Sequence, residues 1–324
     1  MNNFFKGKQV LVTGGAGFIG SNLVHKLIES EAAVSIIDDF STGSINNLND
    51  ISDNSNVSIV KESIVDNDMV DTMVKYSDIV FHLAAKNITD STKDPYSDLL
   101  VNVNGTFNIL QAAHKYKTKK IIYTSSASVY GNARYLPINE NDSLNILNPY
   151  AASKQSGENY CMAFYETYGV PVTVMRYSNV YGPQHSLDKQ NPSCGVIPKF
   201  IITALNNDPI NIHGDGEQTR DFTYIDDIIE ATMMAAASPK SDGEVFNVAT
   251  GKEISINDLV NKIINISADT NVNSQSVEHI HRRDIDNLRR RVLNIEKIRK
   301  HLRWTPNTSI DVGLKKTYSW FAKG

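Results

Sequence analysis

Cysteine is scarce in this chain of 324 residues: there are two, Cys161 and Cys194, without a paired spacing. That excludes a disulfide framework and points to reduced thiols, one in the core and one in a loop. Long apolar runs are also missing. No stretch approaches the roughly 18 residues needed to span a bilayer, and no charged, apolar and small-residue leader opens the sequence, so a cytoplasmic protein is expected. Cationic excess is absent, with 32 Lys and Arg against 36 Asp and Glu for a formal net charge of -4. Nothing in that balance attracts nucleic acid or an anionic membrane, and any anionic partner needs a local basic site. No spacing of His, Cys and carboxylates suggests a metal site, and there is no internal repeat or low-complexity tract.

What is present is a regular alternation. The runs "QVLVTG", "AVSIIDD", "VSIV", "DIVFHLA", "KIIYTSS" and "VTVMRYSN" read as strands, separated by helical stretches such as "SNLVHKLIES" and "SDLLVNVNGTFNILQAAHKY". Nearly continuous apolar strands between helices indicate a doubly wound α/β domain, a parallel sheet covered on both faces. The texture changes at the 180/181 boundary. There "GPQHSLDKQNPSCG" forms a polar loop, and shorter elements follow through "IPKFIITALN", "INIHGDGEQTRDF" and "DDIIEATMMAAAS". The segment "ISADTNVNSQS" reads as a surface linker, and "IEKIRKHLRW" and "SIDVGLKKTYSWF" read as closing helices.

The candidate chemistry starts in "VLVTGGAGFIG", where Gly14, Gly17 and Gly20 follow the first strand at the mouth of a helix. Glycines there let the backbone approach a pyrophosphate, whose charge sits on helix N-H groups. A glycine triplet alone could equally make a structural turn. Asp38 adds context, because a carboxylate ending the second strand can accept both adenosine ribose hydroxyls. It would repel a 2'-phosphate and so favours NAD over NADP, although a solvated turn residue is the plain alternative. In "NPYAASKQSGENY", Tyr150 and Lys154 stand one helical turn apart. A free phenol is a poor base at neutral pH, and a cation on the same face can lower its pKa by roughly 1–3 units. Alone, such a pair is an ordinary feature of an amphipathic surface.

Together, "TGGAGFIG", "DDFSTG", "FHLAA", "YTSSASVYG", "YAASK", "RYSNVYGP" and "GDGEQTRDF" fall in the order and approximate spacing of one family over nearly the whole length. The chain resembles the extended short-chain dehydrogenases/reductases, and among them the nucleotide-sugar epimerases and dehydratases. The resemblance implies a Rossmann-type NAD domain over residues 1–180, with segments around 221–250 returning to it, and a smaller α/β nucleotide-sugar domain over 181–324. It implies Ser126, Tyr150 and Lys154 as the catalytic set, Ser126 sharing a proton with the phenol. Beside Gly14, Gly17 and Asp38, it assigns the cofactor to Phe18, Ile19, Asp39, Ser41, Gly43, Ile64, Leu83, Ala84, Ala85, Lys86, Asn102, Tyr150, Lys154 and Tyr177. Substrate contacts are implied for Lys86, Ser126, Tyr150, Asn179, Val196, His213, Gln218, Arg220 and Arg291.

The dehydratases carry an Asp-Glu pair directly after the catalytic Ser/Thr, and the decarboxylases generally a glutamate at the second position. Here these are Ala127 and Ser128. The expected reaction is therefore 4-epimerisation of a UDP-sugar, with a UDP-glucuronate decarboxylase or another oxidoreductase as the alternative. An NAD-binding scaffold without turnover is an alternative of another class. Two departures from the family stand out. Ser63 replaces an acid near the adenine, and "RRDIDNLRRRVLNIEKI" places Arg291 where epimerases carry a residue gating the sugar pocket, with Arg289 and Arg290 beside it. That run could also face solvent or nucleic acid, though one short cluster on an acidic chain argues against the latter. His82 reads as a core histidine, and His213 as a turn residue or a nucleotide neighbour. A homodimer is expected through the helices "SDLLVNVNGTFNILQAAHKY" and "PYAASKQSGENYCMAFYETYG".

Overall fold

The computed structural model describes residues 2–184, 195–268, 276–282 and 288–323. Cys194 and most of the "ISADTNVNSQS" segment lie outside the described residues, while Ile266–Ala268 complete a helix.

Strands β1 (Gln9–Thr13), β2 (Ala33–Asp38), β3 (Val57–Lys61), β4 (Ile79–His82), β5 (Lys120–Ser126) and β6 (Val172–Tyr177) join the strand Glu244–Val248 in one seven-stranded sheet. From one edge the order is Glu244–Val248, β6, β5, β4, β1, β2, β3, and every pairing is parallel. The chain lays β1, β2 and β3 outward in one direction and then returns to place β4 on the other side of β1. At such a reversal the connections leave in opposite directions, which opens a crevice above the carboxyl ends of β1 and β4.

The two faces are filled by alternate strand residues. Val10, Val12 and Ile36 point into a core shared with Leu23 and Leu27 of the helix Phe18–Glu29 and Ile228 of the helix Ile225–Ala237. Leu11 and Ile37 point the other way, into a core with Val70, Ile109, Leu110, Cys161 and Phe164. Helices Asn67–Lys75, Thr106–Tyr116 and Pro149–Tyr168 cover that second face. Past the sheet, Asn179–Tyr181 pairs parallel with Phe222–Tyr224, and Ile210–His213 parallel with Val277–Ile280. Thr219–Arg220 pairs antiparallel with Ile254–Ser255. Among the described residues no helix is long and apolar enough to cross a membrane, and no group of three or more His, Cys, Asp or Glu could hold a metal ion.

Candidate active site

Each candidate cofactor-side or catalytic residue that follows from a strand sits at that strand's carboxyl end. Asp38 closes β2, Leu83 to Lys86 follow β4, Ser126 closes β5 and Tyr177 closes β6, with Ser126 in register with Tyr177. The parallel sheet thus delivers them to one rim, around the crevice.

The glycine loop shapes the first half of the site. Gly14 adopts φ +70°, and a Cβ there would stand 2.7 Å from Ala84 N, so only glycine lets β1 turn this close to the end of β4. A Cβ at Gly43 would stand 2.8 Å from the carbonyl carbon of Ala16, so this residue supports the loop from behind. The helix Phe18–Glu29 starts after Gly17 with no side chain capping it and no acid in its first turn. An anion is therefore favoured there. The adjoining cavity is lined by Gly14, Gly17, Asp38, Asp39, Ser41, Thr42, Glu62, Ser63, Ile64, Leu83 to Lys86 and Val101.

Asp38 accepts from Ala16 N at 2.9 Å and Phe40 N at 2.8 Å. Burial raises its pKa, and those two backbone donors oppose the shift. Lys86 Nζ donates to Ser41 Oγ at 3.0 Å, while its backbone is gripped at both ends by Asn102, whose Oδ1 accepts from Lys86 N at 2.7 Å and whose Nδ2 donates to Lys86 O at 3.2 Å. Asn102 is buried beneath the loop, in a π-helical turn spanning Leu99–Gly105. A glycine-built turn, an uncapped helix start and a carboxylate lining the cavity fit a dinucleotide with free ribose hydroxyls.

The second half is a cavity of about 320 Å³ that shares Leu83 and Ala85 with the first. It brings together Phe18, Ile19, Ser126, Tyr150, Lys154, Tyr177, Asn179 and Val196, with Thr124, Ser125 and Ser178 among the further lining residues. Sequence reasoning missed these last three, along with Thr42, Glu62 and Val101, because each lies one or two positions from a recognised motif residue and has no signal of its own.

The helix Pro149–Tyr168 presents the central pair. Asn148 caps it by accepting from Ala151 N at 2.9 Å, Pro149 occupies its first position, and Gly169 closes it at φ +67°. Lys154 is buried and donates from Nζ to Thr124 O at 2.8 Å, with its ammonium 5.1 Å from the Tyr123 ring centre. Burial brings its pKa down to about 8, against the opposing pull of Asp98, Cys161 and Glu158.

Tyr150 differs from the sequence expectation. Burial raises its pKa; a hydrogen bond with Ser126 and the charge of Arg291 lower it, and the Asp98 carboxylate raises it. Helical spacing put the two residues on one face, but a buried ammonium needs an acceptor, and Lys154 finds it in the end of β5. Ser126 Oγ also donates to Ser128 Oγ at 3.1 Å and accepts from Ser128 N at 3.1 Å.

His213, Gln218, Arg220 and Arg291 lie outside both cavity linings. Tyr177, which lines the second cavity, shares a 2.6 Å hydrogen bond between its hydroxyl and Thr232 Oγ1. His213 Nδ1 is 2.8 Å from His281 O, and Gln218 Nε2 donates to His213 O at 2.9 Å. Arg220 is buried and donates to Thr219 O and Leu288 O at 2.8 and 2.9 Å. Of the three consecutive arginines, Arg289 pairs with Asp215 at 2.7 Å and Arg290 with Glu253, both on the exposed surface. Arg291 is buried and acts on Tyr150 through its charge. His82 is buried between Thr13 Oγ1 at 2.8 Å and Thr106 Oγ1 at 2.9 Å, and burial takes its pKa down to about 3.

The chain belongs to the extended short-chain dehydrogenase/reductase family of nucleotide-sugar epimerases and dehydratases: the family profile described as GDP-mannose 4,6 dehydratase matches residues 11–317. A UDP-N-acetyl-alpha-D-glucosaminuronate decarboxylase of Bacillus cytotoxicus is 36% identical, over 97% of this chain and 98% of its own. Among solved structures, a Thermotoga maritima UDP-glucose 4-epimerase with UDP-glucose superposes with a TM-score of 0.90 at 35% identity, covering 97% of this chain and 99% of the other. A Bacillus cereus UDP-glucuronic acid 4-epimerase in complex with UDP-glucuronic acid and NAD gives 0.88 at 31%, again over 97% and 99%.

Proposed function

We propose that this chain is an NAD-dependent 4-epimerase of a UDP-sugar, a hexose, N-acetylhexosamine or hexuronate. NAD as cofactor is supported by the fit of the glycine turn, the uncapped helix start and Asp38 to a dinucleotide with free ribose hydroxyls, and by the NAD complex of the similar Bacillus cereus enzyme. When bound, NAD accepts a hydride from the sugar C4 and gives it back. The protein's part is proton handling: Tyr150 takes the proton of the C4 hydroxyl, Ser126 holds the reacting oxygen, and the pair returns the proton when the ketone is reduced. Rotation of the 4-ketose in the cavity presents its other face, and the product is the C4 epimer.

The observation that carries this reading is the lining of the sugar-side cavity. Among the described residues that line it, none is Asp or Glu, and Ala127 and Ser128 follow Ser126. Elimination of water from C5 and C6 needs an acid and a base in addition to the phenol, and neither is supplied there. A second reading, decarboxylation of a UDP-hexuronate, is favoured by Arg291, a buried guanidinium near Tyr150 suited to a sugar carboxylate.

The test is a substrate panel of UDP-glucose, UDP-N-acetylglucosamine, UDP-glucuronate and dTDP-glucose followed by proton NMR. The expected product is the C4 epimer of at least one UDP-sugar with no net NADH. Formation of a UDP-pentose, or of a 4-keto-6-deoxy sugar alone, overturns the reading.

A further inference from the structure

Beneath the catalytic helix lies a carboxylate for which the epimerase reading has no use. Asp98 is buried, and its Oδ1 accepts three hydrogen bonds, from Ser91 Oγ at 2.5 Å, Asn102 Nδ2 at 2.6 Å and Ser153 Oγ at 3.0 Å. Two of those donors lead to different halves of the site. Ser153 precedes Lys154 and donates also to Tyr150 O at 3.0 Å, so it belongs to the helix that carries the proton-handling pair. Asn102 holds both backbone groups of Lys86 on the cofactor side, and donates to Ser153 Oγ at 3.0 Å as well. One carboxylate oxygen thus ties the helix of Tyr150 and Lys154 to the Lys86 loop.

Burial raises the pKa of Asp98, opposed by the hydrogen bonds from Ser91 and Ser153 and by the charge of Lys154. The three hydrogen-bond donors to Asp98 are neutral, whereas the other buried acid near Lys154, Glu158, is held by Arg176 through bonds of 2.6 to 3.2 Å. We propose that Asp98 is a positioning residue, whose negative charge keeps Lys154 as an ammonium while its hydrogen bonds lock the catalytic helix to the Lys86 loop.

The other groups facing the pair do not replace it. Around Lys154 stand Cys161, a buried thiol driven further toward its neutral form, Glu158 already paired with Arg176, and His82, whose pKa of about 3 leaves it neutral. Around Tyr150 stand Ser126, Arg291 and the neutral Tyr123. Asp98 favours the Lys154 ammonium and disfavours the Tyr150 phenolate. Removing its charge therefore lowers both pKa values.

The proposal rests on Tyr150 and Lys154 as the proton-handling pair, and its test has a readout independent of turnover. Asp98→Asn is suitable because the amide oxygen can accept the same three bonds, so charge is lost with geometry kept. The Lys154 midpoint is read by NMR titration of protein labelled with 13C at the lysine ε carbon. The titrating signal near pH 8 stands apart from surface lysines, and its loss in Lys154→Met assigns it. The expected result is a fall of about one pH unit in Asp98→Asn, the usual scale for loss of a nearby opposite charge. In the pH profile of kcat, the limb set by Lys154 moves to lower pH. An unchanged Lys154 midpoint overturns the proposal, even if kcat falls. A shifted midpoint in an enzyme that epimerises no sugar on the panel leaves Asp98 in its role and removes the epimerase reading instead. Should Asp98→Asn not fold, Ser153→Ala is read in the same way. That variant keeps the Asp98 charge, so its Lys154 midpoint is expected to stay within a few tenths of a pH unit of wild type while kcat falls; a fall of a full unit would mean that the hydrogen bond, not the charge, holds the ammonium and overturns the proposal.

Discussion

At the scale of single residues, the site depends on where a phenol finds its proton balance. Burial works against ionisation of Tyr150, and the compensating groups come from two separate segments: Ser126 on β5 and Arg291 in the C-terminal segment. A phenylalanine keeps the ring packing and removes only the exchangeable proton. Tyr150→Phe is expected to lower kcat by about 10²–10⁴-fold, the range of general acid–base contributions, while NAD remains bound on purification. Turnover within a few fold of wild type would place the base elsewhere. This scale also shows what a linear reading reaches. Gly14 and Asp38 were readable because their contexts, a turn after a strand and a strand end, are local. Asp98 gave no signal, since its meaning comes from Ser91, Asn102 and Ser153 converging through the fold. Among the arginines, adjacency in sequence hid opposite environments: Arg289 and Arg290 exposed, Arg291 buried.

At the scale of elements, one helix carries both Tyr150 and Lys154, and its distance from the sheet sets their position. Gly157 lies where the helix Pro149–Tyr168 crosses β5, and a Cβ there would stand 2.2 Å from the Tyr123 hydroxyl oxygen. The same hydroxyl donates to Lys154 O at 3.3 Å. Glycine is required by this close approach rather than by backbone conformation, which is why a glycine in mid-helix has no evident reason in the sequence alone. Gly157→Ala is expected to destabilise the protein by about 1–3 kcal/mol as an overpacked contact. It should also reduce kcat, because displacement of the helix carries Tyr150 and Lys154 with it. Urea midpoints and steady-state rates check both effects. Adding Tyr123→Phe, which removes the nearest atom, should restore part of each; no recovery would mean that the loss arises elsewhere. The stretch Leu99–Gly105 makes a related point. Periodicity reads it as continuous helix, yet a π-helical turn lets Asn102 reach both Lys86 and Asp98. Apolar spacing predicts that a helix exists, but not where its winding changes to aim one side chain.

At the scale of the whole molecule, six of the seven strands and the doubly wound class were readable because alternating apolar runs and intervening helices leave few parallel topologies, whereas the edge strand Glu244–Val248 was not read as a strand. What the shorter C-terminal elements pair with was not readable either, since two- to four-residue ribbons carry no periodicity. One large-scale feature was expected from sequence and now has a surface to support it. The segment Pro95–Tyr116 and the helix Pro149–Tyr168 lie side by side, and both leave bulky apolar groups in solvent: Tyr96 is 69% exposed, Leu99 51%, Tyr160 42% and Tyr168 53%. Phe107 packs edge-on against Tyr160 at 5.4 Å and Phe164 at 5.8 Å, so the exposed rings extend an aromatic seam that already joins the two elements. Such a patch, on helices whose opposite faces carry the site, is suited to a second copy meeting it across a twofold axis as a four-helix interface. The expected species is a dimer at micromolar concentration by light scattering. Leu99→Arg combined with Tyr160→Arg should give a folded monomer, because two cations per subunit would face their own symmetry mates across an apolar seam. A wild-type monomer, or a dimer indifferent to both substitutions, would exclude this face as the interface. Catalytic consequences then follow from the helix: because the face expected to meet a second copy lies on the helix of Tyr150 and Lys154, the monomeric variant should lose kcat more than it loses bound NAD.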